Sequence, residues 1–364
     1  MKVQDICHYL EKIAPLSYQE SYDNAGLLVG DPDSDVQQLL VCLDVTPAVM
    51  EEAIQKKCNL IIAHHPLIFK GLTRLISGDF ISGMVSAAIK HDISIYAIHT
   101  NLDNTLEGIN GLLLRKLGIS SYKVLAPKKN LLSKLAVFCP VAHAETVRNA
   151  LFHAGAGHIG NYDNCSFNVA GKGSFRASDQ ATPFIGEKNL LHFEEEIKIE
   201  VIFPDHLQAQ IVSTLRQNHP YEEVAFDIYP LKNYFEKIGA GAVGDLPEEV
   251  QETEFLDRIK QTLEIPVIRH SEFRKLPVKR VAICSGAGSF LIHDAHFALA
   301  DIFLCGDLKY HDFFLASNRM MLADIGHYES EQWVKEWLYA VLIEKFPNFA
   351  ILISEINTNP VNYL

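Results

Sequence analysis

No two of the seven cysteines (Cys7, Cys42, Cys58, Cys139, Cys165, Cys284 and Cys305) stand in a CxxC spacing, and their number is odd. That removes the usual signature of a thiolate metal site, a thioredoxin-like redox motif or a disulfide framework. Several fall in apolar strand-like runs, as reduced core thiols do. No stretch approaches the ~18 consecutive apolar residues of a membrane span, and the opening MKVQDICHYL carries charges where a signal peptide needs its apolar segment. Positive charge is short as well. Thirty-two Lys and Arg against 45 Asp and Glu leave a net charge of -13, which disfavours a general nucleic-acid or anionic-membrane binder. A cytoplasmic protein with no membrane partner is the expectation.

What the chain does have is length and rhythm. Its 364 residues exceed one compact domain, so two are expected. Up to about residue 125, apolar strands (QLLVCLDV, NLIIAHH, ISIYAIHT) alternate with helix-like segments near 47–57, 81–91 and 105–117, the pattern of a parallel sheet covered by helices. Between about 130 and 232 the order becomes strand, helix, strand, strand, helix, strand, which is the split βαβ of a ferredoxin-like α+β module. After about 235 the first rhythm resumes with VKRVAIC, DIFLCGD, MMLADIGH and AILISEI, separated by helices near 289–299, 309–317 and 329–345. The reading is therefore α/β: a discontinuous domain made of residues 1–128 and 233–364, interrupted by an inserted domain at 129–232. GAGHIGNYDN and RASDQATPFIGEKN, Gly-rich or polar, are placed on loops of the insert.

The chemistry concentrates at strand ends. His64 and His65 close NLIIA just before Pro66, ISIYAI runs into HTNLD with His99 and Asp103, and GHYESE sets His327 and Glu331 four residues apart on one helix face. In open parallel sheets ligands collect beyond the carboxyl ends of strands, where all of these fall. Each motif alone has a mundane reading, a hydrogen-bonded histidine pair or a solvated helix face. Together they point to a metal site. Because neighbouring strand residues point to opposite sides, His64 and His65 are expected to serve different ions unless the strand breaks at Pro66. Two ions ~3.5–4 Å apart would lower the pKa of water held between them. Mixed imidazole and carboxylate ligation suits zinc, manganese, iron or cobalt. His99 reads equally as a ligand, a supporting histidine or a core imidazole.

Other motifs carry less. GAGAVG, with Gly239, Gly241 and Gly244, fits a dinucleotide fingerprint by spacing but lacks the strand-turn-helix context. SGAGSF follows a strand, and a plain tight turn is preferred there over an anion-binding loop. In GDLKYHD, Lys309 and His311 lie on a strand-to-helix turn, where they either face an anionic substrate or merely start a capped helix. The basic segment 268–280 is read as a solvated connection; the alternative, a nucleic-acid surface using Arg274 and Lys275, has the overall charge against it.

Taken in order, DNAGLLVGD, IIAHHPLIF, IHTNLDN, GAGHIGNYDNCSF, HPYEEVAFDIYPL, CGDLKYHD and GHYESE resemble the Ngg-interacting-factor-three-like proteins, also catalogued as GTP cyclohydrolase 1 type 2 homologues. The resemblance spans nearly the whole chain. It implies a two-lobed α/β domain with a dinuclear metal centre, a PII- and CutA-like insert, and assembly as a homohexamer. It also implies His64, His65, Asp103, His327 and Glu331 as metal ligands, with Glu331 as the bridge. Two divalent ions per subunit are expected, zinc ahead of manganese, iron or cobalt. The resemblance implies GTP cyclohydrolase or other metal-dependent hydrolase activity; the enzyme reading is attack at carbon or phosphorus of a small, nucleotide-like molecule, with His99 or His311 moving protons. The alternative is a metal- and ligand-sensing assembly protein in which the insert gates the site or binds an effector.

Overall fold

A computed structural model describes residues 1–76, 78–316 and 318–364. These divide into two compact units, Met1–Pro127 with Lys237–Leu364, and Lys128–Glu236. The first unit opens with strands β1 (Gly26–Val29), β2 (Leu39–Cys42), β3 (Leu60–Ala63), β4 (Ser94–Ala97) and β5 (Tyr122–Lys129). The second unit holds β6 (Leu132–Pro140), β7 (Phe167–Arg176), β8 (Leu191–Pro204) and β9 (Phe226–Leu231). The chain continues through β10 (Tyr234–Val250), β11 (Arg269–His270), β12 (Val278–Ala287), β13 (Ile302–Gly306), β14 (Met321–Asp324) and β15 (Ile351–Ile353).

Two sheets form the first unit. One has the order β1-β4-β3-β2-β15, with β15, β2, β3 and β4 parallel and β1 antiparallel at its edge. The other has the order β11-β14-β13-β12-β10-β5, with β12, β13 and β14 parallel. Side-chain alternation divides each sheet between two cores. Leu39, Val41, Leu60, Ile62 and Tyr96 from the first sheet join Val281, Ile283, Ile302, Leu304, Met321 and Ala323 from the second in one shared core. Leu40, Ile61, Ala63 and Ile95 point the other way, toward the helices Pro47–Gln55 and Phe80–Lys90. Those helices begin where the sequence caps them: Thr46 accepts from the Val49 amide at 3.3 Å ahead of Pro47, and Asp79 accepts from Ser82 at 2.9 Å.

In the second unit β6, a helix at Ala144–His153, β7, β8, a helix at Gln208–Asn218 and β9 make an antiparallel sheet of order β7-β8-β6-β9. This is the ferredoxin-like order. Leu135, Val137, Ile199, Val201 and Phe203 alternate onto the helix side, where they meet Val147, Leu151, Ile211 and Leu215. All seven cysteines are free, six of them buried. No helix among the described residues is long and apolar enough to cross a membrane.

Several expected elements differ in the structure. The helix expected at 329–345 is two, His327–Glu331 and Val334–Lys345. That at 289–299 is a 3-10 turn, Ser289–Leu291, followed by Ile292–Phe297. That at 309–317 shrinks to a 3-10 turn at Asp312–Leu315, with residue 317 outside the described residues. The structure adds helices at Val3–Ile13, which buries Val3, Ile6, Cys7 and Leu10 at helical spacing, and at Glu252–Leu263. GAGAVG lies inside β10, so it opens no helix.

The basic segment, read as a solvated connection, contains one residue that is not solvated. The Arg274 guanidinium is only 3% exposed; it donates to Glu252 at 2.9 Å and to Asp301 at 2.8 Å. Replacing Arg274 with Ala leaves the buried Glu252 carboxylate without its counter-charge, so urea unfolding should show a loss of about 3–5 kcal/mol. DNA retention on the same protein should not change.

Candidate metal centre

The parallel strands of both sheets deliver polar residues at their carboxyl ends. Asp44 follows β2, His64 and His65 follow β3, His99 follows β4, Asp307 follows β13 and His327 follows β14. Strand β3 stops at Ala63, so the alternation that would separate the histidine doublet no longer applies. Their ring centroids are 5.0 Å apart, and each lies 5.3 Å from His99. His64, His65 and His99 offer nitrogens all within 4.8 Å of one another, as do the donor atoms of His65, His327 and Glu331. The doublet's geometry thus leaves both arrangements open, one ion shared with His99 or neighbouring ions with His65 serving beside His327 and Glu331.

Each imidazole is held by its Nδ1. His64 Nδ1 lies 2.8 Å from the Ile98 carbonyl, and the other three face carboxylates at 2.7 Å: Asp44 for His65, Asp23 for His99 and Asp307 for His327. An acceptor on Nδ1 fixes the tautomer whose Nε2 lone pair is free, the state that binds a metal. Asp23 is itself tied to the Thr100 amide at 3.0 Å, the Thr100 hydroxyl and the Asn24 amide. Burial would raise the Asp23 carboxyl, but His99 and these donors hold it down at about 2.

Glu331 lies in the middle. Its Oε2 is 2.8 Å from His65 Nε2 and 3.0 Å from His327 Nε2, and its Oε1 is 3.8 Å from His64 Nε2. Asp103, ending the short helix Thr100–Asp103, places Oδ1 3.7 Å from that same His64 nitrogen. Gly286 makes the approach possible. At φ +62°, a side-chain carbon on it would sit 2.1 Å from Glu331 Oε1, while its amide donates to Ser330 Oγ at 2.9 Å. Gly306 similarly leaves room for the His327 backbone, 2.9 Å from where a Cβ would stand.

The fit to a metal can be judged on the protein atoms themselves. His64 Nε2, Asp103 Oδ1 and Glu331 Oε2 are buried with no hydrogen-bond partner among the described residues, the two short contacts of Glu331 lacking hydrogen-bond geometry. Burial lowers the affinity of His64 for a proton. Burial and the Glu331 charge hold the Asp103 carboxyl well above the usual carboxylate range. Burial would raise Glu331 too, but His327, His64 and His65 outweigh it and hold Glu331 low. Against burial, pairing with Asp44 and Glu331 lifts His65 to about 10, and pairing with Glu331 and Asp307 lifts His327 to about 9. A buried set of imidazole and carboxylate donors that satisfy one another this poorly fits a divalent cation.

The structure does not bring His311 to this cluster. It is exposed on a turn beside Tyr310 and Phe314, where Asp312 caps the Lys309 amide at 2.8 Å. The turn is thus the capped start. SGAGSF likewise provides a turn, with Gly286 serving Glu331. Sequence reasoning missed Asp23, Asp44 and Asp307, although each carries a signal: Asp44 and Asp307 end strand-like runs as the histidines do, and Asp23 begins DNAGLLVGD.

Two substitutions test this construction. Asp44→Asn, which keeps shape but weakens the hold on His65, should lower metal affinity about 10- to 100-fold in a chelator competition. Gly286→Ala, which displaces Glu331, should lower the metal content per subunit at unchanged far-ultraviolet circular dichroism.

Comparison with known proteins agrees with the geometry. A sequence profile of Duf34/NIF3 (NGG1p interacting factor 3) matches residues 1–360. The chain is 39% identical over 370 residues to a Bacillus subtilis protein named GTP cyclohydrolase 1 type 2 homolog, covering 99% of this chain and 98% of that one. It is 37% identical over 369 residues to a Halalkalibacterium halodurans protein of the same name, with the same coverage. Among solved structures, a Bacillus cereus protein related to NIF3 superposes with a TM-score of 0.86 at 37% identity, covering 100% of this chain and 99% of the other. With strand ends, histidines and full-length similarity in agreement, the chain belongs to the Duf34/NIF3 family.

Proposed function

We propose that the protein is a metal-dependent hydrolase acting on a small, nucleotide-like molecule, with two divalent ions, zinc first among them, held by His64, His65, Asp103, His327 and Glu331. The observation that carries this reading is the set of buried ligand atoms with no hydrogen-bond partner among the described residues, His64 Nε2, Asp103 Oδ1 and Glu331 Oε2, at the ends of two sheets. Such ions, when bound, acidify the water they hold and stabilise negative charge developing on a substrate. The protein does the rest. Glu331 lies between the His65 and His327 side and the His64 side, and so suits a bridging position. Asp44, Asp23 and Asp307 keep the imidazoles aimed inward. His99, oriented by Asp23 and beside both members of the doublet, is the residue placed to accept or return a proton. His311, on its exposed turn, has no part in this reading.

The name shared by the relatives supports a guanine nucleotide among the compounds to try first. Cytoplasmic location and assembly as a homohexamer are part of the same reading and rest on family membership. Elemental analysis of the purified protein should find two metal ions per subunit, and sedimentation should give six subunits. The metal-loaded protein should convert at least one member of a panel of GTP, cyclic nucleotides and phosphodiesters. Glu331→Ala should reduce that turnover by at least ~100-fold. If every compound stays unconverted while metal binds normally, the hydrolase reading fails and a sensing or assembly role takes its place.

A further inference from the structure

Beside the histidines the first unit holds a cavity of about 510 Å³, within the range of small-molecule sites. Its wall includes His65 and His327 together with their supporting carboxylates Asp44 and Asp307. The cavity is otherwise bounded by Arg269, the rings of Tyr328 and Tyr363, and the C-terminal residues from Asn359.

The acidic residues around this cavity are already engaged. Asp44 binds His65 and also accepts from Thr358 Oγ1 at 2.5 Å; Asp307 binds His327; Glu329 accepts from Asn359 Nδ2 at 3.0 Å. Asp324 accepts from the Leu308 and Gly326 amides, each at 3.0 Å, and pairs with Arg269. Arg269 is different. It sits directly across from Asp324 in the β11–β14 register, its Nη2 bonded to Asp324 and to the Leu308 carbonyl, its guanidinium 5.7 Å from the Phe313 ring. Its side chain is nonetheless 58% exposed, and among the described residues nothing pairs with its Nε and Nη1. Asp324 and His327 are three positions apart, so the anchored guanidinium is held close to the histidines, within a chain reach of ~10 Å for that segment.

We infer that this cavity is the substrate site and that Arg269 is its anion-holding arm, selecting small molecules that carry a phosphate or carboxylate group beside the bond to be cleaved. The inference rests on the hydrolase reading for the word substrate; the binding itself does not. Anchoring one nitrogen on Asp324 leaves a fixed edge of the guanidinium for an oxyanion, which needs little further ordering to bind. The C-terminal residues form part of the cavity wall, and Thr358 ties them to Asp44, so that wall and the support of His65 are one hydrogen-bonded unit.

The test is calorimetric titration of the metal-loaded full chain with inorganic phosphate and, separately, with acetate, which distinguishes the two oxyanion classes. Arg269→Gln should weaken binding of the preferred anion at least tenfold, with Arg269→Lys between it and the wild type, at unchanged metal content. Since Arg269 also supports Asp324, a second variant leaves that pair intact: Val361→Trp, which fills the cavity from its exposed C-terminal wall, should weaken the same binding. Equal affinity in wild type, Arg269→Gln and Val361→Trp would overturn the inference, because the anion would then be held by metal alone. Arginine-dependent binding in a protein that turns over none of the panel compounds would sink the hydrolase reading and leave the anion site standing. Turnover unaffected by Arg269→Gln would do the reverse.

Discussion

Three buried polar atoms of the candidate metal centre, without hydrogen-bond partners among the described residues, set the terms for the structure around them. His64 Nε2, Asp103 Oδ1 and Glu331 Oε2 would each cost about 1–3 kcal/mol if left unsatisfied, a large share of a typical stability of about 5–15 kcal/mol. A fold keeps such an arrangement when something other than the chain completes it. The surrounding structure holds the arrangement in place. Four imidazoles have an acceptor behind them, a glycine opens space for Glu331, and two sheets turn their strand ends toward one place.

Much of this was legible in the sequence because it is periodic or local. The alternation of Leu39, Val41, Leu60 and Ile62 against Leu40 and Ile61 is a strand pattern, and the histidines stand immediately after such runs. The order of elements in the inserted module identified its ferredoxin-like sheet before any pairing was known. What escaped depends on contacts distant in the chain. Asp44 lies 21 residues from His65 and Asp23 76 residues from His99, so nothing in the local pattern marks them as partners. Gly286 reads as a turn residue in SGAGSF, and its service to Glu331 appears only when β12 is laid beside the helix His327–Glu331. The doublet lies outside the strand rule altogether, because β3 ends at Ala63, before both histidines.

The basic segment 268–280 shows how position in the fold overrides composition. Its charges suggest one surface, yet they divide between two tasks. Arg274 is sealed between Glu252 and Asp301, whereas Arg269 keeps most of its side chain exposed beside the histidines. Charge density alone does not separate an internal tie from an exposed arm; the partners do.

The first sheet is completed by β15, residues 351–353, which pairs in parallel with β2, residues 39–42. A ribosome making this chain vectorially must therefore release almost all of it before that sheet can close. The inserted module, whose strands are contiguous in sequence, has no such wait. During synthesis the half-built sheet presents the edge of β2 until β15 arrives to cover it.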